Sequence, residues 1–493
     1  MLFAFHRAVP PCLCSDNRQT TCEMIVVTKS LDAFMVYVPL GLFLAVLTAN
    51  TKLSLVRGFS PQSMHGRIST LGRRTGNAHR RFSLNMSDEP RHVVVVGGGV
   101  QGTSVAYHLK KSPVLPHGST VSILEAVAPA SAASGKGGGF MARAWGDGSS
   151  TQQLHHVAFD MYEDLCRDLD VQSYRKLPVL SVSPGKGGVN KAKKSNLNQF
   201  LPKWLDGNVG RIQCMGTGDD TAQITPKEFV EKMISSEKID VVLGIGVGVA
   251  TEPTEDGGSK IAGVKYTKSS GDEEVLPCDT VVISAGPWSC MVEDWFGAEA
   301  IEAPMEGIKS TSIVWKSPDD NKVDATALFC GEDDRFGTHL EVYPRPDGSI
   351  YLCGIGGSDY VQKEELMRGA YRTECNANES RVAAASGAFQ EMSAAYRGGE
   401  LDRVQACMRP CPPDAKPYMG AIPGFEGAYI NAGHNCWGIA WAPACGIAMS
   451  ELILEGKSSS LNLAPFNPSR FTEVSGRGGR GRKRGTASVG EQW

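Results

Sequence analysis

The sequence predicts an α/β fold organised on a parallel sheet, and three observations carry that prediction. Four consecutive valines at 93–96 run directly into a glycine loop with the spacing Gly97-x-Gly99-x-x-Gly102. A second apolar stretch, TVSILE at 120–125, ends on Glu125. Late in the chain, apolar strands run into Ala285-Gly286-Pro287 and into Gly433-His434-Asn435. Apolar strand, glycine turn and helix in succession are the pattern of a sheet whose strands are joined by helices.

Each element of the first unit has a physical task. Four valines in a row predict a strand buried on both faces, as at the centre of a parallel sheet. Gly97, Gly99 and Gly102 form GxGxxG, and Val105, Ala106 and Leu109 share one face of the helix that follows. A tight turn, close approach of backbone to a pyrophosphate and close helix–strand packing each call for a residue without a Cβ. Val100 and Gln101 open that helix, whose free N–H groups and positive dipole end suit phosphates. Glu125 stands about 20 residues beyond the loop, where an acidic side chain takes ribose hydroxyls; otherwise it is an ordinary strand-end carboxylate. Together these predict a bound dinucleotide, and they leave FAD and NAD both open.

Composition narrows the remaining classes. The chain has 493 residues, 50 basic and 53 acidic, and is 41% hydrophobic. That length supports a large core and two or more domains, and the near-neutral charge gives no reason to expect nucleic acid as a partner of the core. The 14 cysteines form no CxxC pair, so reduced, buried thiols are expected, with no metal site.

The ends differ from the middle. Residues 34–47 (FMVYVPLGLFLAVL) are apolar, and residues 51–86 carry arginines among Ser, Thr and Gly without one Asp or Glu. Residues 1–88 therefore read as a removed targeting leader, an apolar segment followed by a transit-like region, with a plastid favoured over a mitochondrion. The alternatives are a signal-anchor helix, or a later start codon that leaves the protein cytoplasmic; with the leader removed, no stable membrane span is expected in the mature form. Residues 472–493, with the run SGRGGRGRKR, read as a disordered Gly/Arg tail.

A second glycine-rich turn, SGKGGGFMAR at 134–143, follows the Glu125 strand. Gly137, Gly138 and Gly139 let backbone lie flat against a wide ring system, which favours a flavin over a nicotinamide. With CDTVVISAGPW at 278–288, EVYPRPDGSIYLCG at 341–354, CMRPCPPDAKPYMG at 407–420 and GHNCWGIAWAPACG at 433–446, the chain resembles the D-amino-acid oxidase, glycine oxidase and sarcosine oxidase superfamily of FAD enzymes. The last segment is most similar to a fungal and plant clade of FAD oxidoreductases with poorly defined substrates.

The resemblance implies an FAD-binding Rossmann-like domain built from 89–145, 222–300 and 405–471. An inserted mixed-sheet substrate domain would come from 146–221 and 301–404. It implies oxidation of the CH–NH bond of a small amine or amino acid by hydride transfer to flavin N5. Molecular oxygen would be the acceptor, with hydrogen peroxide as product. The alternatives are a dehydrogenase donating to a quinone or carrier, and a flavin-holding assembly or trafficking factor with little turnover.

Site residues follow residue by residue. Arg409, in the pattern Arg-Pro with Asp414 and Pro417 after it, corresponds to the arginine that grips the substrate carboxylate; the alternative is a structural tie. Ala415 replaces the glycine expected after that aspartate. Cys407 matches the position that carries flavin covalently in the sarcosine oxidase branch, which would require a lowered thiol pKa; the alternative is an inert, buried thiol. Gly433, His434, Asn435 and Gly438 belong to the turn near the flavin pyrimidine, and Ala285 and Gly286 to another cofactor contact. Lys136 lies either near flavin N5 or in solvent. Tyr343 lines the substrate roof or simply packs, Arg143 contacts an anion or forms a salt bridge, and His155 and His156 are expected at the surface. The final helix is expected to begin near Pro443.

Overall fold

The computed structural model describes residues 89–317 and 323–472. The leader expected over 1–88 and the tail beyond 472 lie outside the described residues. The central sheet has six strands in the order Tyr418–Ala421, Ala428–Ala432, Thr280–Ile283, His92–Val96, Thr120–Glu125 and Asp240–Leu243. All neighbours pair in parallel except the first two. The valine strand lies in the middle, and its side chains alternate between two cores: Val93 and Val95 enter one, Val94 and Val96 the other. That is why the run carries no polar residue.

One face of this sheet is covered by the helices Val100–Lys111, Gln152–Asp168, Pro226–Ser236 and Gly438–Glu455, whose apolar residues form one core. The last helix is buried along most of its surface, which accounts for its apolar composition. It begins at Gly438, not near Pro443, which lies inside it. Proline has no N–H to give to Ile439, four residues back, and the buried hydroxyl of Tyr162 donates to that carbonyl instead. The helix stops at Gly456, in the left-handed region at φ 75°, with its N–H bonded to Leu452 O.

A second sheet is mixed and lies in the middle of the chain. Its order is Asp359–Val361, Glu306–Trp315, Ile350–Cys353, Glu341–Pro344, Ala327–Cys330, Val179–Val182 and Ile212–Gly216, with Leu401–Cys411 also pairing to Glu306–Trp315. The strand Leu401–Cys411 thus crosses the boundary expected at 405 and belongs, along its length, to the mixed sheet. Helix Glu379–Met392 covers one face, packing Ala385, Phe389 and Met392 on Ile313, Val342 and Leu352. The other face carries the site.

Candidate active site

The dinucleotide loop has the geometry its glycines require. Gly97 sits at φ 113°, and a Cβ there would come 2.4 Å from Ser284 O. A Cβ on Gly102 would come 2.1 Å from Gly97 O, so this turn closes on itself only with glycine. The strand entering Ala285 and Gly286 therefore lies against the loop. Gly98 N–H and Val127 N–H donate to the two oxygens of Glu125 at 2.7 and 3.0 Å. A carboxylate accepts about four hydrogen bonds, so this grip leaves acceptors for ribose hydroxyls.

The helix starting at Val100 has no acidic residue in its first turn and no side-chain cap from Gly99. Instead the hydroxyl of Ser134, a residue the sequence reading did not single out, accepts from Val100 N–H at 2.9 Å. An oxygen is thus already accommodated at the helix N-terminus, where a phosphate oxygen fits. The Gln101 side chain is committed elsewhere: it donates to Gly438 O at 2.6 Å and accepts from Asn431 Nδ2 at 3.1 Å, joining the first and last helices to the sheet.

The second glycine turn meets the mixed sheet closely. Added Cβ atoms would fall 2.8 Å from the Ile439 side chain at Gly137, 2.4 Å from the Tyr343 ring at Gly138, and 1.8 Å from Ile224 O at Gly139. Protein packing by itself thus calls for glycine at these three positions. Lys136 does not point to solvent; its ammonium donates to Ala406 O at 3.1 Å, beside Cys407, while Gln405 Nε2 donates back to Lys136 O at 3.0 Å.

Strand register decides which side chains share the space beneath that sheet. Direct partners lie on one face, and so do residues two apart. Tyr343 pairs with Tyr351 and Glu341 with Cys353; Val314 pairs with Tyr351, Ser312 with Gln405 and Ile308 with Arg409. One face therefore carries Glu341, Tyr343, Tyr351, Cys353, Gln405, Cys407 and Arg409. Arg345 adds a buried guanidinium over the Tyr351 ring, and burial pushes its pKa down.

Arg409 is half-buried and forms no ion pair among the described residues. The Glu341 carboxylate and the Cys436 thiol lie within its field. Cys407 and Cys436 both keep accessible surface, yet burial pushes both thiols up, Cys407 to about 11. For Cys407 this is the buried-thiol alternative: desolvation outweighs the opposing Lys136 and Arg409 charges.

Glu341 was missed, although its strand was noted for Tyr343. The signal was the alternation in EVYP, which puts Glu341 and Tyr343 on the same face of a wholly buried strand. Tyr343 stacks on Phe140 at 5.5 Å between ring centres, and its hydroxyl donates to Glu341 Oε2.

At the other wall, Gly433 has φ 82° and a Cβ would meet Pro412 at 2.7 Å; Asn435 has φ 49°. Burial pushes His434 down to about 3, so it is a neutral imidazole, and its Nε2 and Asn435 Oδ1 have no hydrogen-bond partner. Buried polar atoms without partners, beside a glycine turn and a helix N-terminus at Gly438, fit the polar edge of a flavin.

Other expectations need revision. Arg143 forms a two-pronged pair with Asp160, at 2.7 and 2.9 Å, which is the salt-bridge alternative. His155 is not at the surface. Its ring packs on Gly146 and against Trp437 at 4.7 Å, with Nδ1 3.0 Å from Ala142 O, and burial lowers its pKa. His156 is partly buried against Asp147 at 2.6 Å.

The chain matches known proteins over most of its described length. The family model described as FAD dependent oxidoreductase matches residues 92–452. An oxidoreductase of Schizosaccharomyces pombe whose name leaves its substrate open is 25% identical over 398 residues, covering 77% of this chain and 98% of that one. The peroxisomal sarcosine oxidase of Mus musculus is 24% identical over 409 residues, covering 78% and 96%. Among solved structures, L-amino acid deaminase from Proteus vulgaris superposes with a TM-score of 0.61 at 16% identity, covering 78% of this chain and 97% of that one.

Proposed function

Because this chain belongs to the FAD-dependent oxidoreductase family, with FAD as its cofactor, we propose that it oxidises the CH–NH bond of a small amine or amino acid bearing a carboxylate. Relatives of the chain include a glycine oxidase and a sarcosine oxidase, which supports the amine class. The observation that carries the carboxylate is Arg409: a half-buried guanidinium without an ion pair among the described residues. A guanidinium in that state suits a bidentate anion, and desolvation strengthens the grip.

FAD, when bound, supplies the acceptor for the substrate's hydride, and oxygen takes the electrons on as hydrogen peroxide. The protein's own residues position and exclude. Arg409 fixes the carboxylate end, Tyr343 and Tyr351 close the roof, and Trp145, Phe329 and Trp437 form an aromatic wall with rings 5.0 and 6.2 Å apart. Such walls exclude water from the reacting carbon. No side chain need remove a Cα proton; the amine must be neutral when the hydride leaves, so an ammonium that arrives protonated first passes its proton to water or a neighbouring carboxylate.

Anaerobic bleaching of the flavin against a panel of amino acids and methylated amines tests this reading. The Arg409→Leu variant is expected to keep FAD and to lose about 3 kcal/mol of transition-state binding, on the order of hundredfold in kcat/KM. Full activity in that variant, or no bleaching by any member of the panel, contradicts it. Peroxide formed in step with imine hydrolysis identifies oxygen as the acceptor. The proposal also keeps residues 1–88 as a plastid-directing leader, tested by the location of a fluorescent fusion carrying them.

A further inference from the structure

We propose that Glu341 is a second specificity-determining residue of this site: its free carboxylate oxygen accepts an N–H from the substrate's amino group while Arg409 holds the carboxylate, so that zwitterionic amino acids are preferred to simple carboxylates. The inference rests on the reading of Arg409 given above and extends it from a carboxylate to a charge pair.

Three observations support it. First, Glu341 is 8% exposed and only one of its oxygens is engaged: Oε2 accepts from the Tyr343 hydroxyl and from Cys353 Sγ at 3.4 Å, while Oε1 has no hydrogen-bond partner. A buried acceptor without a donor is costly and calls for one from elsewhere. Second, strand register puts Glu341 and Arg409 on the same face of the mixed sheet, above the glycine turn that holds Lys136. Third, the two charges feel each other but form no ion pair within 4.0 Å. The Cys436 thiol lies in the field of both. Opposite charges on one face that do not pair with each other suit a ligand carrying both signs, as an amino acid does. Arg409 takes its carboxylate and Glu341 its ammonium.

Burial raises the Glu341 carboxyl, and Tyr343, Cys353, Arg409 and His339 all oppose that rise. An arriving ammonium adds to the opposition, so the carboxylate is stabilised most when the amino acid is present.

The test uses two ligands that cannot be oxidised because neither has a Cα–H: α-aminoisobutyrate and pivalate, identical except that a methyl replaces the amino group. Their binding to the FAD-loaded protein is read from the flavin difference spectrum. The wild type is expected to bind α-aminoisobutyrate roughly tenfold or more tightly than pivalate. Glu341→Gln keeps the side-chain length and an oxygen for Tyr343; it is expected to erase the preference and leave pivalate within about twofold, which also reports an intact site. Should that variant not retain FAD, Glu341→Asp keeps the charge, draws it back by one methylene, and is expected to weaken α-aminoisobutyrate alone. Arg409→Leu is expected to weaken both ligands. A preference that survives in the Glu341 variants, or equal weakening of both ligands, overturns the Glu341 assignment and leaves the Arg409 reading standing. Binding of neither ligand to the wild type, or of both unchanged to Arg409→Leu, overturns the carboxylate reading and this inference with it.

Discussion

The hydroxyl of Tyr162 donates to the carbonyl of Ile439, the one acceptor in the last helix that Pro443 leaves without its helical donor. Tyr162 is fully buried on helix Gln152–Asp168, so a proline inside a core helix is matched by a hydroxyl from its neighbour. Tyr162→Phe is expected to lower stability by about 1–3 kcal/mol, since the carbonyl is left buried and unpaired. Pro443→Ala restores an N–H at that carbonyl, so Tyr162→Phe is expected to cost less in its background. Denaturant unfolding of the four proteins of this cycle measures the coupling.

Flavin release by acid reads the state of Cys407. With its thiol pushed up to about 11, the thiolate at neutral pH is only about one part in ten thousand. A colourless pellet and a yellow supernatant are expected on acid precipitation of the holoenzyme. A yellow pellet that turns colourless in Cys407→Ala establishes a covalent link.

Ala415 adopts φ 55° at the turn following Asp414, where the resemblance leads one to expect glycine. A Cβ in the left-handed region costs about 1–2 kcal/mol, and the extra freedom of an unfolded glycine returns about 0.4–1 kcal/mol of that. Ala415→Gly is therefore expected to stabilise the protein by about 0.5–1 kcal/mol, seen as a rise in the thermal midpoint. A drop shows that the alanine methyl makes a contact worth more than the strain.

Acid stability has a local source at the end of the last helix. Burial alone raises the Glu451 carboxyl, but hydrogen bonds from Ser458, Ser459 and Ser460, five in all at 2.6–2.9 Å, outweigh it and hold the group at about 2. A carboxyl held below its ordinary 4.5 contributes stability that is complete above 4.5 and is lost as pH falls through about 2. Glu451→Gln is expected to unfold more easily at pH 7 and to show a flatter loss between pH 4.5 and 2. Unfolding curves at stepped pH check both points; parallel profiles for the two proteins refute the assignment.

The dinucleotide loop was legible in the sequence because its physics is local. Gly97 and Gly102 touch each other's backbone within six residues, and the apolar runs on either side state their burial directly. The motif that names Arg409 is equally compact, and so is the alternation that puts it on one face of its strand. The order of strands, helices and glycine turns in the chain determined the fold class in the same way.

Partners across the chain were decided only by the tertiary structure. Lys136 reaches a carbonyl 270 positions away, Gln101 one 337 positions away, and Tyr162 one 277 positions away. Arg143 found Asp160, and His155 found a cage of Gly146, Trp437 and Trp441, where the sequence left each of them open or at the surface. That Glu341 and Arg409 share one face depends on the register of four strands from two separate stretches of the chain. The sequence by itself determined the dinucleotide-binding unit, because turns and sheet burial are set by neighbours a few residues apart. Charge and protonation in the site are set by desolvation and by groups far away in the chain, and only packing brings those together.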